Sequence, residues 1–286
     1  MKLIKPSVEI REQGEGMDGM FEHIEWAGRH CYKSHDKMTA DSARKFVATI
    51  TKSGHGSVLE HGTIYLGIPM DDMPEELLHN PYTRCTLCVT PAIAKWYAVT
   101  TNYRVIVENN WDLLLMYQCP PTSCHEKRIT VKWICDRSVS HQFVRHRAMS
   151  HSMESQRYCN YGKEKFGSQI TFIKPLWWDA KSEDKESFKK ALLKAEETYL
   201  KAIRQWDERK QDKRFRTKHK GNPLSPQMAR MILPNATKTE LIMTGFASDW
   251  EHFFELRCSP AAHPDARYLA NKLKTLMTDK DGNKEE

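Results

Sequence analysis

Arg145-His146-Arg147, then seven residues, then Ser155-Gln156-Arg157-Tyr158, is the stretch of this chain best suited to chemistry. Three cationic or titratable side chains stand in a row, and a hydroxyl, an amide and another arginine follow. A packed core does not ask for this, because Arg is almost never fully buried unless it is paired. The guanidinium fork matches phosphate, carboxylate and the edge of a planar heterocycle. The segment is therefore suited to gripping an anionic, nitrogen-rich ligand.

The elements around it follow from pattern. Ile129 to Ile134 alternates apolar and polar residues and reads as a strand. Asp136 or Ser138 then caps a helix. On that helix Val139 and Phe143 lie one turn apart and face the core, while Gln142, Arg145 and His146 share another face. Ala148 to Glu154 is expected as loop or extended chain, carrying Ser155, Gln156 and Arg157 back to the same cleft.

Other segments carry reactive types. Gly54-His55-Gly56-Ser57-Val58-Leu59-Glu60-His61 holds two histidines and an acid between a helix end and a strand over 63–68. Read from spacing alone, it is a helix C-cap with polar surface residues, since His55 and His61 suit neither one helical face nor one strand face. Residues 223–231 read as a short helix bearing Arg230. Ser248-Asp249-Trp250-Glu251 reads as a capping box opening a helix to Arg257. Trp250, Phe253 and Phe254 anchor that helix, His252 lies off the apolar stripe, and Arg257 ends it, free to reach a ligand.

The remaining chain supplies the frame. A first strand is expected over 2–10 and helices over 18–31 and 40–53, the latter capped by Thr39 and ended by Gly54. Residues 96–107 are rich in β-branched and aromatic types and read as a strand, and 111–117 as a short helix. Residues 70–128 are otherwise hard to read because of their prolines. A short strand over 170–173 precedes the strongest helix, 183–208, with Phe188, Leu192, Ala195, Tyr199, Ala202, Ile203 and Trp206 on one face. A strand over 239–246, a last helix over 263–278 and a charged, disordered tail over 279–286 complete the reading. The fold class is α+β, a mixed or antiparallel sheet flanked by helices, in a single catalytic domain over 1–278.

The chain has 286 residues, 40% of them hydrophobic and 28% charged, with net charge +7. Eight tryptophans and ten phenylalanines argue against disorder. The positive balance fits nucleotides, dinucleotides or folates, and equally nucleic acid. The basic run Arg209, Lys210, Lys213, Arg214, Arg216, Lys218, Lys220 is a solvated face or a nucleic-acid patch; of the stacking aromatics that single strands use, only Phe215 is present. Lys5 and Pro6 interrupt any signal-like run, and no stretch reaches membrane-span length, so a cytoplasmic protein without membrane association is expected. The eight cysteines are then mostly reduced. Cys85-Thr86-Leu87-Cys88 with Cys119 and Cys124 is either a set of scattered thiols or a zinc site, and the spacing favours scattered thiols, so no metal is expected.

Arg145-His146-Arg147, seven residues, Ser155, then Arg157-Tyr158 resembles the signature of the flavin-dependent thymidylate synthases. Ala27-Gly28-Arg29-His30-Cys31-Tyr32, the His-rich turn 54–61, Ala229-Arg230 with Leu233-Pro234 and Thr239, and Leu256-Arg257 resemble further family segments in the right order. The resemblance spans roughly residues 20–270 and overturns the surface reading of 54–61. The chain departs from the family at Phe246-Ala247-Ser248, where Asn-Ala-Arg is common, at Ala262-His263-Pro264-Asp265-Ala266-Arg267, and at Ser152. The resemblance implies methylation of deoxyuridine monophosphate (dUMP), with 5,10-methylenetetrahydrofolate as carbon donor, FAD as hydride carrier and NADPH as reductant. It implies that Arg257 acts on the uracil. Gln142, Arg145, Ser155, Gln156, Arg157, Arg230 and Arg257 would hold the nucleotide. Ser57, Arg145, His146, Arg147, Glu154 and His252 would hold the flavin. It also implies a homotetramer with shared sites. The rival readings are a nucleic-acid-binding protein, a cysteine-ligated zinc protein, and another flavin enzyme acting on uracil, such as one modifying RNA.

Overall fold

In the computed structural model, residues 1–92, 94–179, 184–211 and 226–282 are described. Strands β1 (Lys2–Ile4) and β2 (Ser7–Arg11) open the chain and go to different sheets. The single strand expected over 2–10 is thus broken, and Pro6, which has no N–H to give a ladder, stands between the halves. Helices α1 (Gly16–Tyr32) and α2 (Ser42–Lys52) follow. Gly54, at φ +72°, turns the chain out of α2 as expected. Thr39 does not cap α2 with its side chain; its backbone N–H donates to Ser42 Oγ at 2.9 Å.

Strands β3 (Thr63–Pro69), β4 (Arg84–Val89) and β5 (Lys95–Asn102) form an antiparallel sheet in the order β3-β5-β4, with the four-residue helix α3 (Glu75–Leu78) between β3 and β4. The strand expected over 96–107 ends at Asn102. There the amide oxygen accepts from Val105 N–H and starts helix α4 (Tyr103–Glu108), so a side-chain cap overrides β-propensity. Ile64, Leu66, Ile68 and Val99 pack with Met20, Ile24, Val47 and Ile50 of α1 and α2 into one core.

Strand β6 (Arg128–Asp136) leads into helix α5 (Arg137–Phe143) and strand β7 (Ser150–Met153). Strand β8 (Thr171–Ile173) pairs in parallel with β1. The long helix α6 (Asp184–Gln211) buries Leu192, Tyr199, Ile203 and Trp206 on the predicted face. Helix α7 (Pro226–Ala229) passes into a 3₁₀ turn, Arg230–Ile232. Strand β9 (Lys238–Phe246), helix α8 (Ala247–Arg257) and helix α9 (Pro264–Gly282) end the described chain. Helix α9 thus runs into the stretch read as tail. Residues 212–225, hence most of the basic run and Pro223, lie outside the described residues, as do 283–286.

The central antiparallel sheet runs β2-β6-β9-β7. One face carries Val131, Trp133, Cys135, Leu241 and Met243 into a core with Trp250 and Phe253 of α8 and Leu269, Ala270 and Leu273 of α9. The other is threonine-lined: Thr130 stands opposite Thr244, and their hydroxyls lie 2.8 Å apart. His23 of α1 reaches Thr130 at 3.0 Å, and His61 reaches Thr244 at 2.8 Å. The α+β expectation holds, with antiparallel sheets and one parallel pair.

Burial has an electrostatic consequence. It is the largest of the effects that push His23, His146 and His151 down to about 4 and His30 down to about 3. A folded pKa below the unfolded value means the unfolded chain takes up protons that the folded chain refuses. Stability is therefore expected to be full above pH 6.5 and to fall as pH drops toward 4, by about 1.4 kcal/mol per pH unit for each such histidine. Denaturant unfolding at stepped pH checks this; a flat profile between pH 6.5 and 4.5 would contradict it.

Candidate active site

Helix α5 positions the site. Asp136, not Ser138, caps it, with Oδ1 accepting from Val139 N–H at 2.9 Å. Val139 and Phe143 are fully buried, as their spacing required. The helix stops at Phe143, so Arg145 and His146 sit on the following turn and do not share a helical face with Gln142. Residues 148–154, expected as loop or extended chain, are extended at Ser150–Met153, where strand β7 forms the edge of the central sheet and delivers Ser155.

At the C-terminal end of α5, Arg257 is held by three donations. Its Nε–H donates to His146 Nε2 at 3.0 Å, Nη1 to Gln142 Oε1 at 3.1 Å, and Nη2 to the Gln142 carbonyl at 2.6 Å. For Nε2 to accept, His146 must be the neutral Nδ1–H tautomer. Burial and the Arg257 charge, holding His146 near pKa 4, agree with that. A guanidinium has five N–H donors, so two remain, one on each terminal nitrogen. The Phe253 ring backs His146 at 4.8 Å, and exposed His252 lies edge-on to it at 6.1 Å.

At the other end of α5, Arg137 Nη1 donates to Gln156 Oε1 at 2.5 Å. Gln156 is buried and its Nε2 has no partner among the described residues. Burial, and after it the Arg230 charge, lowers the Arg137 pKa, so the two cations feel one another. Arg157 Nε donates to Gln227 Oε1 at 3.0 Å, and Ser155 Oγ accepts from Arg157 N–H at 3.3 Å. Arg137 and Gln227 were missed from the sequence. The signal for Arg137 was the N-terminus of the same helix, one and a half turns before Gln142.

The structure thus gathers the expected residues into two groups at the ends of one seven-residue helix, about 10 Å apart by helical rise. Gln142, His146, His252 and Arg257 form one. Ser155, Gln156, Arg157 and Arg230 form the other. Arg145 and Arg147 are exposed, and their guanidinium groups bond to none of the described residues. Ser57 is exposed on a 3₁₀ turn, Gly56–His61, that packs against β7. Glu154 stands apart. It is 3% exposed, and its oxygens are taken by Tyr161 at 2.8 Å and Lys238 at 2.7 Å, with Lys33 nearby. That carboxylate is committed to an ion pair within the fold.

Residues 123–281, more than half of the chain, match the thymidylate synthase complementing protein family. The chain belongs to that family. Among relatives, this family member is 26% identical to the flavin-dependent thymidylate synthase of Mycolicibacterium vanbaalenii over 88% of its own length and 73% of the relative's. It is 29% identical to the same-named protein of Geobacter sulfurreducens over 49% of its length. It is 31% identical to that of Pyrococcus furiosus over 51%. The match spans only about half, 52%, of each of those two relatives. A crystal structure of a UMP/dUMP methylase PolB from Streptomyces cacaoi, bound with 5-Br dUMP, superposes on 98% of this chain and 93% of that one at 17% identity and TM-score 0.44, too loosely to bear on function. Among the described residues, no helix is long and apolar enough to cross a membrane.

Proposed function

We propose that this family member methylates dUMP at C5 to give thymidylate, as a flavin-dependent thymidylate synthase. The observation that carries the reading is the presentation of Arg257. A neutral histidine and a glutamine fix its plane from one side, and two N–H donors are left for a ligand. A preorganised cation of this kind stabilises negative charge as it develops. On the uracil that charge gathers at the O2/N3 edge when C5 becomes nucleophilic. No protein nucleophile is needed, and none of the cysteines takes part.

The donor set also suits an anionic, ring-bearing cofactor. Arg145 and Arg147 offer unpaired cations to a pyrophosphate, while His146 and His252 offer ring faces beside them. Together with Ser57, these four residues would hold FAD. Bound there, FAD would supply the hydride for the methyl group, with NADPH as its reductant and 5,10-methylenetetrahydrofolate as the source of the carbon. Gln142, Arg145 and Arg257 would hold the base side of dUMP. Ser155, Arg157, Arg230 and the unpartnered Gln156 amide would hold its phosphate side, with Arg137 fixing Gln156. In a homotetramer, neighbouring copies would complete the sites around the exposed Ser57, Arg145 and Arg147.

The cofactor assignment is tested by absorption. Protein reconstituted with FAD and desalted is expected to keep a flavin band, and dUMP is expected to perturb it. Complete loss of flavin on desalting would remove the reading.

A further inference from the structure

Cys85 and Cys88 lie on β4, where residues three apart point to opposite faces. Cys85 turns into the first core, where burial pushes its thiol up to about 11. Cys88 turns the other way. Trp96 stands directly opposite Cys88 in the β4–β5 ladder, and its ring lies 6.2 Å from that of His125. His125 directly follows Cys124, so the segment before β6 lies over this face of the sheet and brings Cys124 beside Cys88, near enough for its thiol to raise that of Cys88. Both residues are partly exposed. Cys119 Sγ is drawn to His125 Nε2, at 3.9 Å. Among the described residues, no three His, Cys, Asp or Glu side chains are grouped to hold a metal ion.

We propose that Cys88 and Cys124 are a modification site: they close into a reversible disulfide that ties β4 to the segment entering β6. Hydrogen peroxide serves as oxidant. One thiolate attacks a peroxide oxygen, the O–O bond breaks, and a sulfenic acid and one water form. The second thiolate attacks that sulfur, the S–O bond breaks, the S–S bond forms, and a second water leaves once protonated. Two thiols lose two electrons and two protons, and the peroxide gains both.

The link would clamp a junction that already joins three segments. Glu126 Oε1 accepts from Ser248 N–H at 2.9 Å and from Ser248 Oγ at 2.6 Å. Arg84 of β4 lies 3.6 Å from both Glu126 and Asp249. The junction is the start of α8, the helix that carries His252 and Arg257 to the site.

The test uses the full chain, with stoichiometric peroxide, alkylation and peptide mapping. Two of the eight thiols are expected to disappear, with one Cys88–Cys124 linked peptide lighter by two hydrogens. Dithiothreitol should restore both thiols. Burial and the neighbouring Cys124 raise the Cys88 thiol, so cross-linking should speed up as pH rises. Cys88→Ser and Cys124→Ser should each abolish the linked peptide, and oxidation should raise the melting temperature of the parent protein but of neither variant. Linked peptides joining other cysteines, covalent dimers through Cys88, or both thiols still alkylated after oxidation would each overturn the proposal.

Discussion

Replacing Arg257 by alanine is expected to lower turnover of dUMP by about 10²–10³-fold, the usual cost of removing one preorganised donor from a charge-stabilising site. The side chain ends α8, and its three inward donations fix it before any ligand arrives. Little reorganisation is then left for the reaction itself. Arg257→Lys should not rescue the loss, because an ammonium keeps the charge but not the planar fork. Much of the flavin should survive, since Arg145 and Arg147 do not lean on Arg257 and, of the flavin-holding residues, only His146 loses a partner. Steady-state kinetics with circular dichroism as a folding control checks this. Near-normal turnover in the alanine variant would remove Arg257 from the mechanism.

Lys238→Met is expected to cost about 3–5 kcal/mol of folding stability, because it leaves two buried carboxylates sharing the single ammonium of Lys33. Lys238 Nζ lies 2.7 Å from Glu154 Oε2 and 2.7 Å from Glu240 Oε1, and Lys33 contacts the same two acids. Burial opposes ionisation of Glu240, yet the two ammonium groups hold its carboxyl down at about 2. A depressed carboxyl pKa gives stability that is present above the unfolded value and lost as pH falls toward 2. The double variant Lys238→Met, Glu240→Leu should recover part of the loss. Denaturant melts decide the matter: a single-variant cost below about 1 kcal/mol would mean that the network is solvated like a surface pair. Glu154 immediately precedes Ser155, so this network also anchors the segment that presents Ser155, Gln156 and Arg157.

Local pattern foretold the elements whose burial follows one period. Helix α6 shows its 3.6-residue stripe because one face packs on Tyr161, Ile170 and Phe172. Strand β6 was legible because Val131, Trp133 and Cys135 alternate into the helix-covered face. Where a side-chain hydrogen bond decides, pattern failed. The capping box expected at Ser248 and Glu251 is replaced by Asp249 accepting from Phe246 N–H at 3.1 Å, because Glu126 claims Ser248. That partner is distant in sequence and cannot be inferred from the helix alone. Strand β7 was legible only as loop or extended chain, because an edge strand of Ser and His carries no apolar alternation. The same limit applied to the site. Gln142, His146 and Arg257 were picked out by type and by family resemblance, yet their mutual bonds depend on how α5 and α8 cross. Arg137 escaped notice because a cation at a helix start resembles solvated surface until Gln156 is seen beneath it.

The central claim is that guanidinium groups from separate elements hold dUMP for reductive methylation. Its most direct measurement is thymidylate formed when the FAD-loaded protein is given NADPH, 5,10-methylenetetrahydrofolate and dUMP. The account predicts stoichiometric thymidylate, with NADPH oxidation that depends on all components. Oxidation of NADPH without thymidylate, or no dependence on dUMP, would contradict it.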